Sequence, residues 1–159
     1  MVKLTIAIPT YNGGKNLERA IKSCKNIQLS LNDYEILIVD NCSTDNSILN
    51  LDQLKNEFKN LVVIKNKNNV GRIQNWNLCI NNARGKFLIF LFSNDTINEK
   101  NNIHECLKKI DSDESISIGF ASKVLPSESI VTVSVELVEN RLTPLKSFVA
   151  VALTKLCSC

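Results

Sequence analysis

The sequence predicts an α/β fold: a mostly parallel, twisted sheet with helices on both faces, of the Rossmann-like kind. Two patterns predict it. Short β-rich apolar runs alternate with segments whose apolar residues recur at helical spacing. The runs Ile36-Leu37-Ile38-Val39 and Phe87-Leu88-Ile89-Phe90-Leu91-Phe92 are apolar throughout, as strands buried on both faces are.

The elements follow in order. Ile6-Ala7-Ile8, reached from Val2 through Leu4, is a short buried strand stopped by Pro9. After the turn-forming Asn12-Gly13-Gly14, Leu17, Ala20, Ile21 and Cys24 lie on one helical face. The run 36–39 is the second strand and ends in Asp40. Asn41-Cys42-Ser43-Thr44-Asp45 supplies a turn and an N-cap, and Ile48, Leu51, Leu54 or Lys55, and Phe58 carry a second helix. Leu61-Val62-Val63-Ile64 is the third strand. A polar loop over 66–71 leads to a helix marked by Ile73, Trp76, Cys79 or Ile80, and Ala83, with Gly85 as its expected C-cap. Residues 87–92 form the fourth strand, ending at Ser93-Asn94-Asp95. Ile103, Cys106, Leu107 and Ile110 mark a fourth helix, and 116–120 a fifth strand.

Beyond Phe120 the pattern changes. Val131, Val133, Val135 and Leu137 alternate with polar residues, as a half-buried strand does. Thr143-Pro144 then opens an expected amphipathic helix through Leu145, Phe148, Val149, Ala152 and Leu156. Asparagine shifts in the same region: 20 of 21 fall within residues 1–102.

Composition narrows the function. With 159 residues, 44% hydrophobic and 22% charged, the chain is neither disordered nor fibrous and is large enough to bury a core unaided. A net charge of +3, spread along the chain, argues against a nucleic-acid footprint. The longest apolar run, 87–92, is too short to span a bilayer, and Met1-Val2-Lys3-Leu4 runs into a strand without a leader-like segment. The expected location is cytoplasmic, free or at the inner face of the membrane. Six cysteines with a single histidine offer no zinc spacing; Cys24, Cys79 and Cys106 sit on helical apolar stripes and read as reduced core thiols.

In an open parallel sheet, ligands bind beyond the carboxyl ends of the strands. Those ends carry Pro9-Thr10-Tyr11-Asn12, Asp40 and Ser93-Asn94-Asp95, with Asn69-Val70-Gly71-Arg72 near the third. An aromatic face, separated carboxylates and a guanidinium suit a nucleoside diphosphate with a divalent metal. Singly, each has a plainer reading: Asp40 as a turn former, Tyr11 as packing, Asn94-Asp95 as a turn, Arg72 as a solvated helix start.

Four blocks in order carry a family resemblance. They are Ile8-Pro9-Thr10-Tyr11-Asn12; Glu35 through Val39-Asp40-Asn41-Cys42-Ser43-Thr44-Asp45; Asn69-Val70-Gly71-Arg72 through Asn75-Trp76-Asn77 to Ala83-Arg84-Gly85-Lys86-Phe87; and Phe90-Leu91-Phe92-Ser93-Asn94-Asp95. Over residues 4 to 97 the chain resembles the family-2 glycosyltransferases, whose fold is GT-A. The resemblance implies that Pro9, Thr10 and Tyr11 hold the nucleotide base, Tyr11 by stacking. Asp40 would accept from the base imide, and Arg72 would touch the base or ribose. Asn94 and Asp95 stand for the metal motif, Asp95 ligating a Mg²⁺ or Mn²⁺ on the diphosphate of a UDP-sugar. The acceptor would be a glycan or lipid-linked hydroxyl in cell-surface polysaccharide or glycoconjugate synthesis.

Two departures qualify this resemblance. Asn94 stands where the family often has a carboxylate, and an amide is the weaker metal partner. No Asp follows Asp113, and Glu114, Glu128, Glu136 and Glu139 fit no family motif, so no counterpart of the carboxylate base of the family's acceptor half is expected here. The division expected is a nucleotide-sugar-binding part over 1–120, and over 121–159 a strand plus C-terminal amphipathic helix at the start of a missing or altered acceptor half. Such a chain is expected to bind donor and to be too short to catalyse. Two alternatives stand beside it: a non-catalytic interaction module, and a sugar-phosphate nucleotidyltransferase, whose Gly-rich basic phosphate loop is not found after the first strand.

Overall fold

The computed structural model describes residues 2–45, 47, 51–112, 121–122 and 149–154. The elements alternate: β1 (Leu4–Thr10), α1 (Gly14–Ser23), β2 (Tyr34–Asp40), α2 (Leu51–Glu57), β3 (Leu61–Lys65), α3 (Arg72–Asn82), β4 (Phe87–Phe90), α4 (Ile103–Ser112), then β5 (Ala121–Ser122) and β6 (Val149–Thr154). The sheet order is β3-β2-β1-β4-β6-β5. Every pairing is parallel, and the β1–β2 register sets Thr10 level with Asp40.

β1 and β2 are buried at every position, because helices cover both faces of the sheet. Alternation along β1 divides the core in two. Ile6 and Ile8 face a larger cluster with Leu17 and Ile21 of α1, Leu54 of α2 and Leu107 of α4. Ala7 joins Leu37, Val39 and Leu88 under Cys79 of α3 and neighbouring Ala83. The predicted α1 stripe of Leu17, Ala20, Ile21 and Cys24 is fully buried.

Four local expectations are corrected. α3 turns Asn75 and Cys79 inward while Ile73 is 58% exposed, because the Asn75 amide donates to Val39 O at 3.0 Å. Helical spacing then puts Ile73 on the far side. Gly85 is not the cap of α3, which ends at Ala83 in extended conformation. Gly85 instead lies against the backbone of β1: a Cβ there would stand 2.5 Å from Thr5 N and 2.6 Å from Leu4 C. β4 stops at Phe90, although Leu91 N still donates to Ala7 O.

The fourth correction concerns the C-terminal helix. Val149–Thr154 forms β6, with Phe87 level with Val149 and Phe90 with Ala152. The free edge of β4 offers a full ladder of backbone partners to this Val/Ala/Leu run, and that outweighs its helical periodicity. The expected strands at 116–120 and 131–137, the cap at 143–144, and Ile48, Leu145, Phe148 and Leu156 lie outside the described residues.

Candidate functional site

From β1 the chain winds outward to β2 and β3, then returns to place β4 against the other edge of β1. The loops leaving β1 and β4 therefore diverge, which opens a crevice at the carboxyl end of the sheet. A cleft of about 590 Å³ lies there, within the range of small-molecule sites. Pro9, Thr10 and Tyr11 line it from β1, Phe92, Ser93 and Asn94 from beyond β4, and Asn69, Arg72, Asn75 and Trp76 from the α3 side; Asn41 completes the lining.

Of the seven residues expected from sequence, Pro9, Thr10, Tyr11, Arg72 and Asn94 share this lining, while Asp40 and Asp95 do not. Asp40 is 2% exposed, and its carboxylate accepts from the Ser43 backbone N–H at 3.2 and 3.3 Å and from the Ser43 hydroxyl. Here the plainer reading, a turn former, describes the geometry. Asp95 follows Asn94 in a turn closed by its own N–H on Phe92 O at 2.8 Å. α1 holds Asn94 twice, through Asn16 Nδ2 on Asn94 Oδ1 at 3.1 Å and an Arg19 guanidinium nitrogen on its carbonyl at 3.2 Å.

Sequence reasoning gave no site role to the amides of Asn41, Asn66 and Asn75. Asn41 Nδ2 donates to Asn69 Oδ1 at 2.8 Å, and Asn66 Nδ2 to both Asn41 Oδ1 and Asn75 Oδ1 at 3.1 and 2.9 Å. Asn41 Oδ1 also accepts from Val70 N, and Asn69 Oδ1 from Gly71 N. This lattice ties the end of β2 to the 66–71 loop and the start of α3. Gly71, at φ 83°, takes a conformation that side chains disfavour, so the loop turns into α3 and delivers Arg72 to the cleft. The surplus of asparagine before residue 103 was the available signal.

The β1–α1 loop is pinned as firmly. Asn12, at φ 51°, donates from its N–H to Ser43 Oγ at 2.8 Å and accepts from the N–H groups of Thr44 and Asp45 at 2.9 and 3.3 Å. Gly14 N donates to Asp45 and Ser47. Hydrogen bonds donated by the Ser47 hydroxyl, the Ser47 N–H and Gly14 N hold the Asp45 carboxyl below its usual range.

Chemically the cleft is a set of neutral amides, the Tyr11, Trp76 and Phe92 rings and one charge: among the described residues Arg72 is its only charged lining residue. Thr10 Oγ1 is buried there with no hydrogen-bond partner among the described residues. No group of three or more His, Cys, Asp or Glu could hold a metal among the described residues. A cation carried mainly by a ligand's phosphates needs only one or two protein carboxylates, and Asp95 stands next to Asn94 at this strand end. Among the described residues no helix is long and apolar enough to cross a membrane.

Comparison with known proteins agrees with this fold. The chain is 28% identical over 100 residues to the poly(ribitol-phosphate) β-N-acetylglucosaminyltransferase TarS of Staphylococcus aureus, covering 63% of this chain and 18% of that protein. It is 36% identical over 97 residues to the poly(ribitol-phosphate) β-glucosyltransferase of Bacillus spizizenii, covering 60% and 15%. The chain thus matches less than a fifth of the length of these relatives. The structure of S. aureus TarS 1-349 in complex with UDP-GlcNAc superposes with a TM-score of 0.69 at 25% identity, over 82% of this chain and 37% of that one. The mannosyltransferase PcManGT of Pyrobaculum calidifontis, in complex with GDP-Man and Mn²⁺, shares the fold at 0.69 and 16% identity, over 78% and 36%. The family profile of glycosyl transferase family 2 matches residues 5–133, and the chain belongs to that family.

Proposed function

We propose that the cleft binds the donor of a glycosyl transfer, a nucleoside diphosphate sugar of the UDP type, in the synthesis of a cell-surface polymer. One observation carries the reading. Residues separated along the chain, Thr10, Tyr11, Arg72 and Asn94, converge on one cleft at the switch point of a parallel sheet, where such folds take nucleotides.

Tyr11, half-exposed at the rim, is free to stack on a base. The buried Thr10 hydroxyl gains a partner from the base edge, and Arg72 takes the base or ribose side. Asp40, at the floor of the neighbouring loop, reaches the base imide only if Ser43 yields part of its carboxylate. Asp95 would hold Mg²⁺ or Mn²⁺ together with the diphosphate, and the chemistry that cation would supply is neutralisation of charge on the departing nucleoside diphosphate. Asn94 presents its amide to the ribose or phosphate side. The 1–120 part is the donor-binding unit. Taken alone, the chain binds donor and has little or no transferase activity, because among the described residues no carboxylate lines the cleft to deprotonate an acceptor hydroxyl. The names of the relatives support a glycan or polyol-phosphate polymer as acceptor.

Calorimetric titration with UDP, with and without Mn²⁺, tests the reading. Binding strengthened by Mn²⁺, with that gain lost in Asp95→Asn, is expected. Absence of binding, or binding indifferent to both, overturns it in favour of a non-catalytic interaction module.

A further inference from the structure

The chain holds one tryptophan, Trp76. The structure sets it between Arg72, the only charged side chain lining the cleft among the described residues, and the aromatic end of β4. Arg72 Cζ lies 5.6 Å from the Trp76 ring centroid, one turn earlier on α3. Trp76 also meets Phe92 at 5.4 Å and Phe90 at 6.1 Å, both tilted, and those two rings stack at 6.2 Å with 7° between planes. Trp76 and Phe92 line the cleft beside Arg72.

Arg72 makes no ion pair among the described residues. A long cationic side chain with no carboxylate to hold it samples many rotamers, and a ligand that uses it must freeze them. A cation within about 6 Å of an indole centroid is attracted by the ring's negative face, which orders the side chain without neutralising it. The charge therefore stays available to a ligand while its position is set in advance. The ring is itself anchored, because Phe90 and Phe92 brace it against the strand that leads to Ser93-Asn94-Asp95.

We propose that Trp76 is a positioning residue for the donor: braced by Phe90 and Phe92, it holds the Arg72 guanidinium over the cleft in the pose that receives a nucleoside diphosphate. The inference rests on the donor reading of the cleft. It adds that the base side and the strand end carrying Asp95 are joined through one aromatic stack.

The test combines two readouts on the 159-residue chain and on Trp76→Leu, Trp76→Phe, Arg72→Gln and the double variant Arg72→Gln/Trp76→Leu, each checked for native circular dichroism. In the free protein the Arg72 Nε–Hε resonance is expected to be displaced by the ring current of Trp76. It should return to the ordinary arginine position in Trp76→Leu and remain displaced in Trp76→Phe. Trp76→Leu is expected to weaken UDP binding about 5-fold, or about 1 kcal/mol, with Trp76→Phe within about 2-fold of wild type. The double variant should bind no more weakly than Arg72→Gln alone. An undisplaced resonance, or a Trp76→Leu loss of the same size when Arg72 is already absent, overturns the positioning role while wild-type UDP binding keeps the donor reading intact. Failure of the wild type to bind UDP overturns the donor reading, and the role of Trp76 with it. Trp76→Phe keeps the inference falsifiable if the leucine variant fails to fold.

Discussion

The Glu35 carboxylate, 1% exposed, accepts two hydrogen bonds from Arg84: from its backbone N–H at 2.7 Å and from its Nε at 2.6 Å. Thr5 Oγ1 donates to the same carboxylate at 2.7 Å and accepts from Gly85 N at 2.9 Å. Thr5 and Glu35 are level on β1 and β2, near the amino end of the sheet and away from the cleft. One buried charge thus joins β1, β2 and the α3–β4 connection with its donors satisfied.

Removing it should unfold the domain before it disturbs the site. Glu35→Ala leaves a buried hydroxyl and a backbone N–H without their acceptor, at an expected cost of about 3 kcal/mol. Arg84→Ala keeps the backbone bond and removes a guanidinium that is mostly exposed, so it should cost about 1 kcal/mol or less. Urea midpoints for the two variants check the order; equal losses would show that the ion pair, rather than the buried carboxylate, carries the effect.

Gly85→Ala should be as damaging for a steric reason. The added methyl would meet Thr5 N, Leu4 C and Phe87 O at 2.5 to 2.8 Å. These are backbone atoms of paired strands and cannot rotate aside. The expected loss is about 3 kcal/mol or more, read as a lower thermal midpoint or the absence of soluble protein. A stable Gly85→Ala protein would mean that β4 is free to shift against β1.

Thr10→Val separates stability from binding. The threonine hydroxyl is buried without a partner among the described residues, so an isosteric methyl relieves a cost of about 1 kcal/mol. The variant should melt at or above the wild-type temperature and bind UDP several-fold more weakly. A variant that is less stable and binds normally would place the hydroxyl in the core rather than in the donor site.

The buried thiols predict a pH dependence. Burial pushes Cys24 and Cys79 up to about 12 from an ordinary 9.0. Above pH 9 the unfolded chain releases these protons while the folded chain keeps them, so protons are bound more tightly by the native state. Stability is therefore unaffected below pH 9 and falls as pH rises toward 12, by up to about 1.4 kcal/mol per thiol per pH unit. Urea midpoints at pH 8 and 10.5 should differ less in Cys24→Ala and Cys79→Ala than in wild type. Alkylation at pH 8, mapped by peptide, should spare both residues in the native protein.

How far the sequence discloses this molecule depends on the range of the interactions involved. β1 to β4 are legible because runs such as Ile36-Leu37-Ile38-Val39 declare double-sided burial locally, and the strand-end polar residues follow from that. Asn41, Asn66 and Asn75 are not legible singly: each reads as a turn former until tertiary structure brings their amides together. Gly85 has an ordinary C-cap signature, and its close approach to β1 depends on a strand 80 positions away. The segment 149–154 carries a helical period as well as a β-rich composition, and the free edge of β4 decides between them.

Asn94 is the position where a single substitution should strengthen the proposed metal function. Its Oδ1 already accepts from Asn16 and its carbonyl from Arg19, so an aspartate would keep both contacts and the same backbone. It would also place a second carboxylate beside Asp95. Hard divalent cations gain affinity with the charge of their oxygen ligands, and a second nearby negative charge is tolerated where a cation and Arg19 offset it. Asn94→Asp should lower the Mn²⁺ concentration that half-maximally supports UDP binding by about tenfold, with little change in thermal midpoint in the absence of metal. An unchanged Mn²⁺ requirement would show that this side chain faces Asn16 alone and that Asp95 acts without a neighbour.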